Sequence, residues 1–420
     1  MARNVPDDVN ARNEGPAGDG PSQEWRGVKL PSPLMTSEPG SFARKTMVER
    51  KGQIIARVIA DNDYLPEIVA DLKQLGDEIS QNGGPGREIQ PVEESVGDAE
   101  FWNAHWARYE GRTWLELPWY FAETYFYRRL LEATRYFQPG PWFGHDPFTV
   151  QKRTQEASAA AQLRDVWPQI VATPPEKRFV PLLHACLWGN RADLSNFTVR
   201  ESAMGDTTRD RANILIDDTE RIRELLRPGA QHVAFINDNV GADSLFDLVM
   251  VDFLLTQGWV EQVTFHLKNQ PFFVSDAMPN DIRHMVRRLR ASSVEDVSAL
   301  GERLEAAIVG GALILTTAPF WTRCLSFWEM PEPLLNLLGE SHLVILKGDV
   351  NYRRLLDDRH WPPTASLKSI AAAFPRPFLV LRTLKGEIIV DLDPGQAEAM
   401  QAEDPTWLIN GKRGLIQLIA

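Results

Sequence analysis

The run His232-Val233-Ala234-Phe235-Ile236-Asn237-Asp238-Asn239-Val240-Gly241-Ala242-Asp243 decides the fold. Its opening is mostly apolar and too short for a helix of its own, so it reads as a buried strand. It then turns abruptly polar, and Gly241 punctuates the turn before the apolar helical stretch Ser244–Thr256. The same alternation continues downstream. Strand-like runs stand at Gln262–Leu267, Ala312–Thr316, His342–Leu346 and Phe378–Leu381, with helical segments at Asp281–Leu289, Val294–Ile308 and Glu332–Leu338 between them. Glu387–Leu392 and Leu415–Leu418 are candidate edge strands. Such a pattern predicts the α/β class, an α/β/α sandwich on a mostly parallel sheet.

Upstream the period changes. Ile54, Ile55, Val58, Ile59, Ile68, Val69 and Leu72 recur at helical spacing, interrupted near Leu65-Pro66. Trp114–Leu131 is strongly apolar, with Pro118 suited to a first helical turn. Lys152–Trp167 and Lys177–Leu187 extend the helical character. Residues 1–35 are rich in Gly, Pro, Asn, Asp and Ser and predict a disordered or loosely packed arm. The expected division is therefore that arm, a helical N-terminal domain over 36–205, and an α/β/α domain over 206–420.

The chain has 420 residues and a net charge of -12, from 45 Lys+Arg against 57 Asp+Glu. That balance argues against a nucleic-acid or anionic-membrane partner, since polyanions are met by basic surfaces. A small phosphorylated molecule needs only a few local cations and stays open as a partner. The longest uncharged stretch, Ala306–Thr322, is split by Gly310-Gly311 and falls short of the roughly 20 residues of a membrane span. No apolar signal segment follows Met1, so a cytoplasmic protein is expected. Two cysteines, Cys186 and Cys324, exclude a disulfide framework and a four-thiolate zinc site. Nothing in the pattern fixes the oligomeric state.

In an open parallel sheet, ligands bind outside the carboxyl ends of the strands. Asp238 and Asn239 follow the first strand of the second half, and Asp276 stands in the segment after the second. All three offer oxygen donors, which suit hard or borderline ions such as Mg²⁺ and Mn²⁺. The plainer alternative for Asp238 and Asn239 is an Asx turn capping the next helix, and for Asp276 a cap near Met278-Pro279. Two such sites at neighbouring strand ends favour the metal. Lys347, Arg353, Arg382 and Lys385 follow two further strands and are candidate phosphate partners, whereas Arg354 reads as a surface salt bridge. The eight His show no pair at zinc-ligand spacing, and no nucleophile elbow or phosphate-cradling Gly-Lys loop is present.

Several motifs occur together. They are Ser41-Phe42-Ala43, Pro118 to Arg129 with Glu123, Asp146-Pro147-Phe148 with Gln151-Lys152, and Leu187 to Ser195 with Asn190 and Asp193. Then come Asp238-Asn239-Val240-Gly241, Asp247, Asp252-Phe253, Val274-Ser275-Asp276, Pro319 to Thr322, Lys347 to Arg353, and Arg382-Thr383-Leu384-Lys385. In this combination and order, the chain resembles the metal-dependent damage-control phosphatase family, in the subgroup marked by an Arg-Thr-x-Lys motif. The resemblance implies a helical domain against an α/β/α catalytic domain. It implies that Asp238, Asn239 and Asp276 bind a divalent metal (Mn²⁺, Co²⁺, Ni²⁺ or Mg²⁺) and carry the catalysis. It further implies that the Asp349-Val350-Asn351-Tyr352-Arg353 loop and Lys385 hold the phosphorylated substrate, with Glu123, Asn190 and Asp193 near the pocket. The expected activity is hydrolysis of phosphate monoesters of sugars or damaged metabolites, such as fructose 1-phosphate. Two alternatives stand beside it: an S-adenosylmethionine-dependent protein carboxyl methyltransferase and a non-catalytic metabolite-binding module. Asp243 stands where the family usually has Glu, and Ala277 where Thr is frequent.

Overall fold

The structure, a computed structural model, describes residues 24–25, 28–79, 86–189, 213–226 and 229–420. Two short strands, β1 (Glu24–Trp25) and β2 (Val28–Lys29), pair antiparallel. Leu30 and Leu34, within the segment expected to be an arm, are buried, so the packed chain starts by residue 30.

Helices then follow in succession. The first is α1 (Phe42–Lys45), which passes through a wide turn, Thr46–Arg50, into α2 (Lys51–Asp61). Next come α3 (Pro66–Ile79), α4 (Ala99–Trp106), α5 (Trp119–Ala133), α6 (Thr149–Ala172) and α7 (Pro175–Trp188). The break between α2 and α3 falls where Pro66 removes a backbone donor, as the spacing predicts.

From Ile214 onward strands and helices alternate. The elements are β3 (Ile214–Asp217), α8 (Thr219–Leu225), β4 (Ala230–Ile236), α9 (Ala242–Thr256), β5 (Val260–Leu267), α10 (Pro279–Arg290), α11 (Glu295–Gly310) and β6 (Leu313–Thr317). They continue with α12 (Glu332–Gly339), β7 (Leu343–Lys347), α13 (Gly348–Leu355), α14 (Leu367–Ile370), β8 (Phe378–Thr383), α15 (Gln396–Glu403) and β9 (Gly414–Ile419). The sheet order is β3-β9-β8-β7-β4-β5-β6. β4 to β8 run parallel, and β9 is antiparallel to β8. The mostly parallel α/β/α sandwich read from the sequence is therefore what forms. One edge differs: Glu387–Leu392 is not a strand, and the sheet is completed instead by β3, whose four residues are too few to show a period in the sequence.

Two apolar cores flank the sheet. On one side α6, α7, α9, α10 and α11 pack on Val233, Phe235, Val263 and Phe265. On the other, α12, α13 and the start of α5 pack on Ala234, Ile236, Val344 and Val380. A third core lies among α2, α3, α4 and α5. Helix α5 is buried along nearly its whole length and joins two of these cores, with Trp119 and Tyr120 toward the sheet and Phe121, Tyr125 and Phe126 toward the helices. It thus holds the helical layer over the strand ends. Strand order reverses between β4 and β7, since β5 and β6 lie on one side of β4 and β7 and β8 on the other. A crevice opens at the carboxyl ends of strands where such a reversal occurs. Phe265, fully buried on β5 with its ring 5.3 Å from Phe235, anchors the sheet beneath it. Phe265→Ala is expected to lower stability by about 3–5 kcal/mol, read as a drop in the urea midpoint.

Candidate active-site cleft

The crevice is a cleft of about 240 Å³. The ends of β4, β5, β7 and β8 supply one wall, and Phe42, Arg50, Trp119, Glu123 and Tyr127 supply the other. Backbone hydrogen bonds stitch two of the strand ends together. Val240 N donates to Ser275 O at 2.7 Å, and Ala277 N donates to Asp238 O at 2.8 Å. Asp238, Asn239 and Asp276 are thereby brought to one place. The capping role weighed for Asp276 is filled by Asp281, whose carboxylate accepts from Met278 N at 3.0 Å. Lys152 braces the same carboxylate, with Nζ 2.9 Å from Asp146 and 3.1 Å from Asp281.

Electrostatics at this point are strongly acidic. Burial pushes the Asp238 carboxyl well up, and the neighbouring charges of Asp276 and then Asp243 add to it. Asp276 is also raised by burial, against the pull of Lys268, whose Nζ lies 3.3 Å away. Asn239 donates from Nδ2 to Asp238 Oδ2 (2.8 Å) and Asp243 Oδ2 (3.0 Å), while its Oδ1 accepts from Ser275 Oγ (2.6 Å). No group of three or more His, Cys, Asp or Glu side chains among the described residues is arranged to hold a metal ion. The local set is two carboxylates and an amide, with Asp243 behind the amide. Its surplus of buried negative charge and its oxygen donors fit a hard divalent cation.

Opposite Asp238, α13 begins at the end of β7. Gly348 adopts φ +84°, and a Cβ there would lie 1.9 Å from Asp238 Oδ2. The segment expected as a substrate loop is thus a helix whose first residues, Gly348, Asp349 and Val350, face the cleft. An uncapped helix start offers free N–H groups and the positive end of the dipole to an anion. Lys385 is half-buried in the cleft wall.

Other sequence candidates are placed differently. Lys347 Nζ is committed to Asp247 Oδ1 (2.6 Å) and Cys186 O (2.5 Å). Arg382 is fully buried over the Tyr352 ring, with Nε 2.8 Å from Asp349 Oδ1 and Nη1 2.5 Å from Ile388 O. Asn351 donates to Lys347 O at 2.8 Å, and Tyr352 OH accepts from Val390 N at 3.1 Å. Arg353 is fully buried, its guanidinium 3.6 Å from the Trp119 ring centroid and its Nε 2.5 Å from Asp358 Oδ1. Arg354, read as a surface ion pair, is a buried hub donating to the carbonyls of Leu325 and Phe320. Lys347 and Arg382 are thus paired with Asp247 and Asp349, Lys347 while still lining the cleft. Arg353 and Arg354 turn inward because their segment coils into a helix, whereas Lys347 and Arg382 stand on β7 and β8 and are drawn to the carboxylates of Asp247 and Asp349. Asn190 and Asp193 lie outside the described residues.

Lys268 and Arg50 belong to the cleft's surroundings and escaped the sequence reading. Lys268 directly follows β5, so the strand-end rule could have found it. Arg50 comes from a distant helical segment and carries no such signal. A larger cavity of about 500 Å³ lies elsewhere, lined by Tyr109, Tyr120, Arg354 and Arg359, but it receives none of the carboxylates that end β4 and β5.

Two substitutions test this arrangement. Burial raises the Asp247 carboxyl to about 6 while Lys347 opposes the rise, so Lys347→Met leaves a buried charge uncompensated. It should cost about 3–5 kcal/mol in urea unfolding, largely recovered in a Lys347→Met/Asp247→Leu double variant. Gly348→Ala should displace Asp238 and remove function while the far-ultraviolet circular dichroism stays that of the folded chain.

Comparison with known proteins matches the sequence of this chain to a family. Residues 46–400 match the model described as the damage-control phosphatase ARMT1-like domain. The chain is similar to damage-control phosphatase ARMT1 of Danio rerio, at 29% identity over 94% of this chain and 98% of that protein. It is similar to the Homo sapiens protein of the same name at 30% identity, over 92% of this chain and 98% of the relative. A solved DUF89-family structure from Pyrococcus horikoshii aligns with a TM-score of 0.44 and 13% identity, covering 90% of this chain and 97% of that one. With the family model spanning most of its length, the chain belongs to the ARMT1-like damage-control phosphatases.

Proposed function

We propose that the cleft hydrolyses phosphate monoesters of sugars or other phosphorylated metabolites, with fructose 1-phosphate a candidate substrate, and that it works with a divalent metal. One observation carries the reading: the uncapped start of α13 and the Asp238–Asp276 pair face each other across the β4–β7 junction. A phosphate monoester is a dianion on an organic body, and these two features divide its recognition between them.

Asp238, Asn239 and Asp276 are the residues that would hold the cation. When bound, a divalent ion there supplies polarisation of a phosphoryl oxygen and a more acidic water. The start of α13 receives other phosphoryl oxygens through its free N–H groups. Lys385 adds positive charge beside them, positioned through its own backbone N–H, 3.4 Å from Asp349 Oδ1. Arg382 fixes Asp349 and so keeps both the helix start and the Lys385 turn in register. Lys268 holds Asp276 against the repulsion of Asp238. Trp119 and Tyr127 on α5 exclude water from the reacting centre.

Purified chain supplied in turn with Mn²⁺, Co²⁺, Ni²⁺ and Mg²⁺ is expected to release phosphate from p-nitrophenyl phosphate and from fructose 1-phosphate. Asp238→Asn and Asp276→Asn should each lower kcat by about a thousandfold or more, with Mn²⁺ binding by calorimetry weakened in parallel. Lys385→Ala should raise KM about tenfold. Full activity in both carboxylate variants would overturn the assignment.

A further inference from the structure

Glu123 forms part of the cleft wall, and behind it stands a cation that the strand-end reading did not single out. Lys51 begins α2, directly after the wide Thr46–Arg50 turn. It is 1% exposed, and its Nζ lies 2.5 Å from Glu123 Oε1. The ammonium also lies 4.5 Å and 4.8 Å from the ring centroids of Phe126 and Tyr127. Wide helical turns of this kind recur at functional sites, where they re-aim side chains. Here one directs Arg50 to the cleft rim and Lys51 to the space behind Glu123.

The two oxygens of Glu123 are not equivalent. Oε1 is ion-paired with Lys51 Nζ, whereas Oε2 is buried, and neither Oε2 nor the ammonium has a hydrogen-bond partner among the described residues. A buried carboxylate oxygen without a donor is costly. The pair is also an expensive way to fill space, since burial pulls the Lys51 ammonium down to about 8 even with Glu123 opposing. An apolar residue at position 51 would pack against Phe126 and Tyr127 without that cost. The arrangement makes sense if the missing donor arrives from the cleft.

Resting on the phosphatase reading above, we propose that Lys51 is a positioning residue. It holds Glu123 in place through their ion pair, with the Glu123 carboxylate in the cleft wall as acceptor for a hydroxyl on the non-phosphate part of the substrate. Lys51 then sets specificity without touching substrate: it makes the site favour phosphate esters that carry a further hydroxyl over esters that carry none.

The test uses the full chain and the divalent ion giving the fastest turnover. kcat and KM are measured for fructose 1-phosphate and for p-nitrophenyl phosphate, which has no free hydroxyl. The readout is the ratio of the two kcat/KM values in wild type, Lys51→Met, Glu123→Gln and the double variant. Lys51→Met should lower that ratio about tenfold, chiefly through KM for fructose 1-phosphate. Glu123→Gln should lower it similarly, and the double variant no further than either alone, because both act through one hydrogen bond. A parallel fall on both substrates, with the ratio held within about twofold, means a purely structural pair and overturns the proposal. Additive losses overturn it too. If Lys51→Met fails to fold, the near-isosteric Glu123→Gln carries the same ratio test alone. If wild type hydrolyses neither ester with any ion, the phosphatase reading fails by itself. Calorimetric binding of fructose 1-phosphate against phenyl phosphate then decides the Lys51 proposal, which requires a wild-type preference for the sugar ester that Lys51→Met abolishes.

Discussion

The ends of β4 and β7 approach so closely at Gly348 that no side chain fits between them. Its φ of +84° and the 1.9 Å separation of a would-be Cβ from Asp238 Oδ2 make position 348 a place for glycine on two independent grounds. Much follows from that contact. It lets α13 start at the strand end without a cap, so its N–H groups open directly onto Asp238. It also sets the first turn of α13 where Asp349 meets Arg382, which in turn braces the Arg-Thr-x-Lys segment. A larger residue would push the helix away from the carboxylates and uncouple the two halves of the cleft.

The sheet was legible in the sequence because each central strand is a short, nearly continuous apolar run bounded by polar turns. Such runs have few alternatives once helical segments separate them. The edge was less legible. Glu387–Leu392 has strand-like composition but runs past α13 without a ladder, giving Ile388 O to Arg382 and Val390 N to Tyr352. β3, by contrast, is too short to show a period. At the site, Asp238 follows β4 closely and falls to the strand-end rule, whereas Asp276 lies in the loop after β5 and reaches the crevice through its bridge to Asn239. The basic residues were harder. Lys347, Arg353, Arg354 and Arg382 share the same local signature as Lys385, yet all four are buried braces. Which of five similar cations faces solvent depends on helix phase and on the distant aromatics Trp119 and Tyr352 that stack on Arg353 and Arg382. None of this is written locally in the chain.

The bracing cations alter how the net charge of -12 should be understood. The candidate phosphate partners Lys347, Arg353, Arg382 and Lys385 predict local positive charge within an acidic protein. In the folded chain most of those charges are already spent on Asp247, Asp349 and Asp358 or on backbone carbonyls. What lines the cleft is nearer the opposite: Glu123, Asp238, Asp243, Asp276 and Asp349 against Arg50, Lys347 and Lys385, with Lys347 and Asp349 already paired to Asp247 and Arg382. A dianionic ester entering such a space meets repulsion unless a further positive charge comes with it. The start of α13 supplies part of that charge, at about half an elementary unit. A divalent ion held by Asp238 and Asp276 would supply the rest, offsetting the burial that raises both carboxyls and the charge of Asp276 that raises Asp238 further. Under the proposed function the carboxylate pair and the start of α13 are not separate devices. Each leaves a charge uncompensated that only the other's ligand corrects, so substrate and cation should bind more tightly together than either does alone.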